Sequence, residues 1–126
     1  MKVLIVYHTT YGHTLQLARA VEAGVKSVAG VEAVFRRAPE FPHVEKELEA
    51  GDDYAAKIWK EQKDIRPCTL DDLREADGLL LGSPTRYGNM TAAMKALIDS
   101  TSSLWLSGAM EGKPAGVFTS TATTHG

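Results

Sequence analysis

Lys2 to His8 is a continuous run of apolar and β-branched residues, with Val3-Leu4-Ile5-Val6-Tyr7 at its centre. A strand apolar on both faces belongs to a parallel sheet covered on both sides. The period then changes. Leu15, Ala18, Val21, Val25 and Val28 recur every three or four positions, the stripe of an amphipathic helix, and Gly30 is a stop signal for it. Val31 to Arg37 reads as a second strand, so the first third of the chain predicts a right-handed βαβ crossover. Further on, Thr69-Leu70-Asp71-Asp72 has the form of a capping box opening a short helix to Ala76. Gly78-Leu79-Leu80-Leu81 reads as a third strand ending at Gly82-Ser83-Pro84. Asn89 is placed to cap a helix whose apolar face is Ala93, Met94, Leu97 and Ile98. Gly112-Lys113-Pro114 is a turn, and Ala115 to Thr119 a fourth strand. This alternation predicts an α/β doubly wound parallel sheet.

Residues 39–66 break the pattern. Pro39 and Pro42 open a segment crowded with charges, read as a surface insertion with some helix around Tyr54–Gln62. Within it, Ile58-Trp59 is either a local staple onto the body of the protein or a contact for a partner or site wall.

The length of 126 residues predicts one domain, and 44% hydrophobic with 24% charged residues is ordinary for a globular protein. A net charge of -2, with no basic run longer than Arg36-Arg37, gives no electrostatic case for nucleic acid. No stretch approaches the roughly 20 apolar residues of a membrane span, and the apolar start is too short for a signal peptide. A lone cysteine, Cys68, permits no intrachain disulfide and reads as a small residue beside a helix start. Together these features predict a cytoplasmic protein.

The candidate chemistry lies in three loops, which such a sheet brings to the carboxyl ends of its strands, where ligands bind. Thr9-Thr10-Tyr11-Gly12-His13-Thr14 follows the first strand. The free N–H groups of a helix N-terminus hold a phosphate without a lysine, threonine hydroxyls add donors, and Gly12 permits close backbone approach. The loop is neither GxxxxGK[ST] nor GxGxxG, which argues against a nucleoside triphosphate or a dinucleotide. Taken alone, Thr9 is equally readable as a simple helix cap. Ser83-Pro84-Thr85-Arg86-Tyr87-Gly88-Asn89 follows the third strand and offers donors and a flat ring to a planar ligand. The Ser/Thr-rich stretch from Ser120 follows the fourth and can hydrogen-bond a heterocycle edge. His13 is a candidate for either end of such a ligand. His8 and His43 read as structural or solvated, and no group of residues has zinc spacing.

These residues resemble the WrbA family of flavodoxin-like NAD(P)H:quinone oxidoreductases. The match rests on Tyr11-Gly12-His13, the run Pro84-Thr85-Arg86-Tyr87-Gly88-Asn89-Met90, Leu104-Trp105 with Ser107-Gly108-Ala109, and Phe118 leading into Ser120-Thr121. The resemblance implies a flavodoxin-like fold binding FMN non-covalently, NADH or NADPH as electron donor, and two-electron quinone reduction by ping-pong hydride transfer. By position, Thr9, Thr10, Tyr11, Gly12, His13 and Thr14 would hold the phosphate. Pro84, Thr85, Arg86, Tyr87, Gly88 and Asn89 would line the isoalloxazine, with Ser120, Thr121, Ala122, Thr123, Thr124 and Gly126 on its pyrimidine side. Tyr11 would also touch the nicotinamide nucleotide and Trp105 would wall the substrate pocket. A homo-oligomer, dimer or tetramer, is implied as well. A flavodoxin-like one-electron carrier and a flavin-free scaffold are the alternative readings.

Two departures stand out. Ala122, Thr124 and His125 occupy a loop that is glycine-rich in the family. The expected strand order is 2-1-3-4, with the family's fifth strand and last helix absent from these residues, consistent with a fragment, a missing remainder or a short form completed by oligomerisation.

Overall fold

The computed structural model describes residues 1–125. Four strands, β1 (Lys2–Tyr7), β2 (Glu32–Arg37), β3 (Gly78–Pro84) and β4 (Ala115–Ser120), form one sheet in the order β2-β1-β3-β4. All three pairings are parallel, as the apolar run of β1 predicts. Tyr7 pairs with Arg37 and with Gly82, and Pro84 pairs with Ser120. This register brings the carboxyl ends of β1, β3 and β4 to one edge.

Alternation along β1 divides the core. Leu4 and Val6 point into the layer that holds Leu73, Leu79, Met94, Leu97 and Leu104. Ile5 and Tyr7 point to the other face, against Ala18, Leu15, Val21 and Val25 of α1 (His13–Lys26). Each fully buried aliphatic side chain of this kind contributes about 1.5–3 kcal/mol relative to exposure. On the first face lie α4 (Leu70–Glu75), α5 (Ala92–Asp99) and α6 (Ser102–Leu106).

The capping box forms as read. Thr69 Oγ1 accepts the Asp72 N–H at 3.1 Å, and an Asp72 carboxylate oxygen accepts the Thr69 N–H at 2.9 Å and Arg36 Nε at 3.1 Å. Burial pushes the Asp72 carboxyl up, but these donors and the Arg36 charge together hold it below the usual carboxylate range. Cys68 is buried beside this start, where burial, aided by the Asp72 charge, pushes its thiol up to about 12. It is an inert core residue.

Two expectations need correction. The insertion carries two helices, α2 (Pro42–Ala50) and α3 (Tyr54–Gln62), where one was read. Only Val44 and Leu48 mark the inner side of α2, and neither is fully buried, so its apolar stripe is faint. The cap of α5 is Thr91, not Asn89: Thr91 Oγ1 accepts the Met94 N–H. Asn89 instead closes a tight turn, with Arg86 and Asn89 exchanging N–H···O bonds of 2.7 and 3.1 Å across Tyr87 (φ 51°) and Gly88 (φ 76°). Positive φ at both central residues is the geometry of a type I′ turn, which Gly88 adopts freely and Tyr87 adopts at a cost of about 1–2 kcal/mol.

Candidate functional site

β1 delivers the chain into the first loop with its end fixed. The His8 N–H bonds Gly82 O at 2.9 Å, and Thr9 Oγ1 accepts the Gly12 N–H at 3.0 Å. Gly12 sits at φ +93°, the left-handed region, and acts as the N-cap of α1. The first intrahelical bond runs from Gln16 N to Gly12 O at 3.1 Å. The N–H groups of His13, Thr14 and Leu15 come before it, at the positively polarised end of a fourteen-residue helix. No acidic side chain lies in the first turn.

Above this helix end is a cavity of about 490 Å³, lined by Thr9, Thr10, Tyr11, His13, Thr14, Pro84, Thr85, Arg86, Ser120, Thr121 and Ala122. The volume falls in the roughly 300–1,000 Å³ range of small-molecule sites. The three loops read from the sequence therefore converge. Arg86 joins two of them directly, its Nη2 donating to Thr10 Oγ1 at 2.8 Å. Among the described residues no carboxylate lines the cavity, so an anion meets there only neutral donors, an imidazole and a guanidinium. Thr14 is fully buried, yet its hydroxyl has no partner among the described residues. A buried hydroxyl without a partner costs about 1–3 kcal/mol, so its position here suits a ligand oxygen. The helix end, the left-handed Gly12 and this orphaned hydroxyl fit the phosphate of a mononucleotide.

The other residues singled out in the sequence divide. Gly88 and Asn89 line an adjoining apolar groove of about 260 Å³ with Met90, Met94, Ile98 and Phe118, which Pro84 and Thr85 also border. Tyr87 stands fully exposed at the turn apex. Thr123 and Thr124 are exposed, and the Thr123 carbonyl accepts the Thr121 hydroxyl. Trp105 projects from α6, outside the cavity, at 78% exposure. Gly126 lies outside the described residues.

One arrangement carried no signal in the sequence. His8 is buried and its Nε2 lies 2.7 Å from a Glu40 carboxylate oxygen, 32 residues away. Burial pushes the Glu40 carboxyl up, but the His8 bond and charge, the Phe41 N–H and Arg37 together bring it below the usual range. His43 is exposed and stacks on Phe41 with centroids 5.8 Å apart. No group of three or more metal-ligating side chains occurs among the described residues.

A parallel sheet ordered 2-1-3-4, with a phosphate-type loop after its first strand and two further polar loops beside it, defines a flavodoxin-like α/β protein. The comparisons with known proteins agree. The family model for NADPH-dependent FMN reductase matches residues 1–126, and the chain belongs to that family. It is 47% identical to an NAD(P)H dehydrogenase (quinone) of Syntrophobacter fumaroxidans and 44% identical to one of Solidesulfovibrio magneticus. Both alignments take in 100% of this chain but only 60% and 61% of those proteins. The flavodoxin, WrbA-like protein of Agrobacterium tumefaciens superposes with a TM-score of 0.65 at 26% identity, over 97% of this chain and 60% of that one. The chain thus spans about three fifths of the length of these relatives.

Proposed function

We propose that residues 1–126 are a flavodoxin-like FMN-binding domain, with a charged insertion at about 39–66, of an NAD(P)H:quinone oxidoreductase. The observation that carries this reading is the buried, unpartnered hydroxyl of Thr14, a residue of the first turn of α1 that borders a cavity lined by no carboxylate among the described residues. The relatives, named as quinone dehydrogenases that act with NAD(P)H, supply the reaction class. On this reading, Thr9, Thr10, Tyr11, Gly12, His13 and Thr14 hold the phosphate. Pro84, Thr85, Arg86, Tyr87, Gly88 and Asn89 border the ring system, with Ser120, Thr121, Ala122, Thr123, Thr124 and Gly126 at its polar edge.

FMN, when bound, supplies the two-electron exchange between nicotinamide and quinone. The chain supplies position and charge. The helix N-terminus would hold the anionic end, and Arg86, tied to Thr10, places a positive charge at the cavity, where it would stabilise negative charge on the reduced group. Tyr11, half exposed at the rim, is a stacking surface for the nicotinamide nucleotide, and Trp105 is a wall for the quinone. Donor and acceptor use one open face in turn, which gives ping-pong kinetics. We also read the protein as a cytoplasmic homo-oligomer, dimer or tetramer. Trp105 and Leu106, each 78% exposed on α6, offer apolar contact area. No described helix is long and apolar enough to cross a membrane.

The test combines an absorbance spectrum of the purified protein, titration with FMN, and NADH or NADPH oxidation with a benzoquinone acceptor. Saturable FMN binding and quinone-dependent turnover are expected. A colourless protein that binds no added FMN overturns the reading.

A further inference from the structure

The insertion between β2 and α4 reads as peripheral, yet one side of α3 is interior. Ala56, Ile58, Trp59 and Gln62 are all buried. Gln62 Oε1 accepts the Tyr7 hydroxyl at 2.7 Å, and the Arg37 guanidinium lies 4.8 Å from the centroid of the Trp59 ring. These contacts fix α3 against β1 and the end of β2. Ile58 reaches farther, to the phosphate-type loop. A Cβ placed on Gly12 would lie 3.1 Å from Ile58 Cδ1, with Cγ1 and Cγ2 at 3.7 and 3.8 Å. The Ile58 side chain therefore packs against the face of Gly12 where other residues carry a side chain.

Gly12 is the pivot of that loop. Its N–H goes to Thr9 Oγ1, its carbonyl takes the first bond of α1, and its φ of +93° turns the chain into the helix. The Thr9 bond restrains the loop from within, and Ile58 restrains it from outside. Removing Ile58 opens space beneath Gly12, into which the turn can relax. The N–H groups of the first helical turn then lose their common aim.

We infer that α3 of the insertion is a working part of the anion site, with Ile58 a positioning residue for the phosphate end of the ligand. This rests on the FMN reading above. It has a specific signature: Ile58 acts on a flavin that carries a phosphate and not on one that lacks it.

The experiment titrates the purified protein with FMN and with riboflavin, by quenching of flavin fluorescence, for the unaltered chain, Ile58→Val and Ile58→Ala. Far-UV circular dichroism checks that each is folded. Ile58→Ala is expected to weaken FMN about tenfold, the equivalent of about 1.4 kcal/mol, and riboflavin less than about twofold, with Ile58→Val between. Should Ile58→Ala not fold, Ile58→Val carries the test, at about two- to threefold for FMN alone. Unchanged FMN affinity in a folded variant overturns the inference, as does equal weakening of both flavins. If the unaltered chain binds neither flavin, the FMN reading itself fails and takes this inference with it. That result is distinct because it precedes any variant.

Discussion

Tyr7→Phe tests the tie between the central strand and the insertion. Tyr7 is fully buried and its hydroxyl donates to Gln62 Oε1 at 2.7 Å, with Gln62 itself 5% exposed. Burial raises the phenol pKa well above its ordinary value, so the hydroxyl is a neutral donor throughout the accessible pH range. Phenylalanine keeps the ring and its packing on Phe35, whose centroid is 5.3 Å away, so almost no volume is lost. What is lost is one hydrogen bond, and a buried amide oxygen is left without its donor. The cost of such an orphaned acceptor is about 1–3 kcal/mol, and we expect about 2 kcal/mol here. At about 2.1 cal/mol/K per residue, a chain of 126 residues unfolds with about 0.26 kcal/mol/K, so Tm falls by about 8 °C. Gln62→Leu should cost a similar amount by orphaning the hydroxyl. The double variant, with both partners apolar, should cost clearly less than the sum, with a coupling of about 1 kcal/mol or more. Urea unfolding followed by circular dichroism and by tryptophan fluorescence measures all four corners of the cycle. Additivity within about 0.5 kcal/mol, or a single-variant cost below that, would refute the reasoning.

Gly82→Ala should destabilise strongly, because an added Cβ would lie 2.0–2.7 Å from atoms of the Phe118 ring at the paired position on β4. We expect about 3 kcal/mol or insoluble expression, and a melting temperature within a degree of the parent would count against the observed packing. Glu40→Gln should cost about 1–2 kcal/mol at neutral pH by removing the carboxylate from His8. Because the folded-state pKa of Glu40 is lowered, its contribution is present above the unfolded value near 4.5 and is lost as pH falls through the folded one. Denaturation curves of parent and variant should therefore converge in acid, and a gap independent of pH would rule the pair out as its source. Thr14→Val should leave the ligand-free protein as stable or slightly more stable, since the hydroxyl has no partner among the described residues, while weakening FMN several-fold. Isothermal titration beside a thermal melt separates the two effects, and unchanged FMN affinity would remove Thr14 from the site.

What the sequence disclosed follows the range of the forces involved. The βαβ unit and the Thr69–Asp72 box depend on local periodicity and on side chains three residues apart, so they are legible, whereas the strand order came only with the family resemblance. The three loops are legible because a parallel sheet gathers the ends of its strands wherever the intervening residues go. Asn89 misled because it lies next to a helix and suits a cap, whereas the φ > 0 demand of the Tyr87-Gly88 turn claimed it first. Helix α2 was faint because charged residues surround its two inner apolar positions, Val44 and Leu48, though Pro42 at its first turn was a positional hint. The contacts His8–Glu40, Tyr7–Gln62 and Ile58–Gly12 join residues 32, 55 and 46 positions apart, and no pattern in a single chain pairs them.

The placement of β1 between two strands has a consequence for how the protein is made. Its partner β2 follows within about thirty residues, but its other partner, β3, begins at Gly78, paired with Val3. At a synthesis rate of about 5–20 residues per second, roughly 4–15 s separate the emergence of the two halves of that pair. Through that interval the apolar edge of Leu4, Ile5 and Val6 has no cover on one side, and the loop that Arg86 will brace is only half built. A pause in translation before Gly78 should therefore lower the soluble yield more than an equal pause after Ser120.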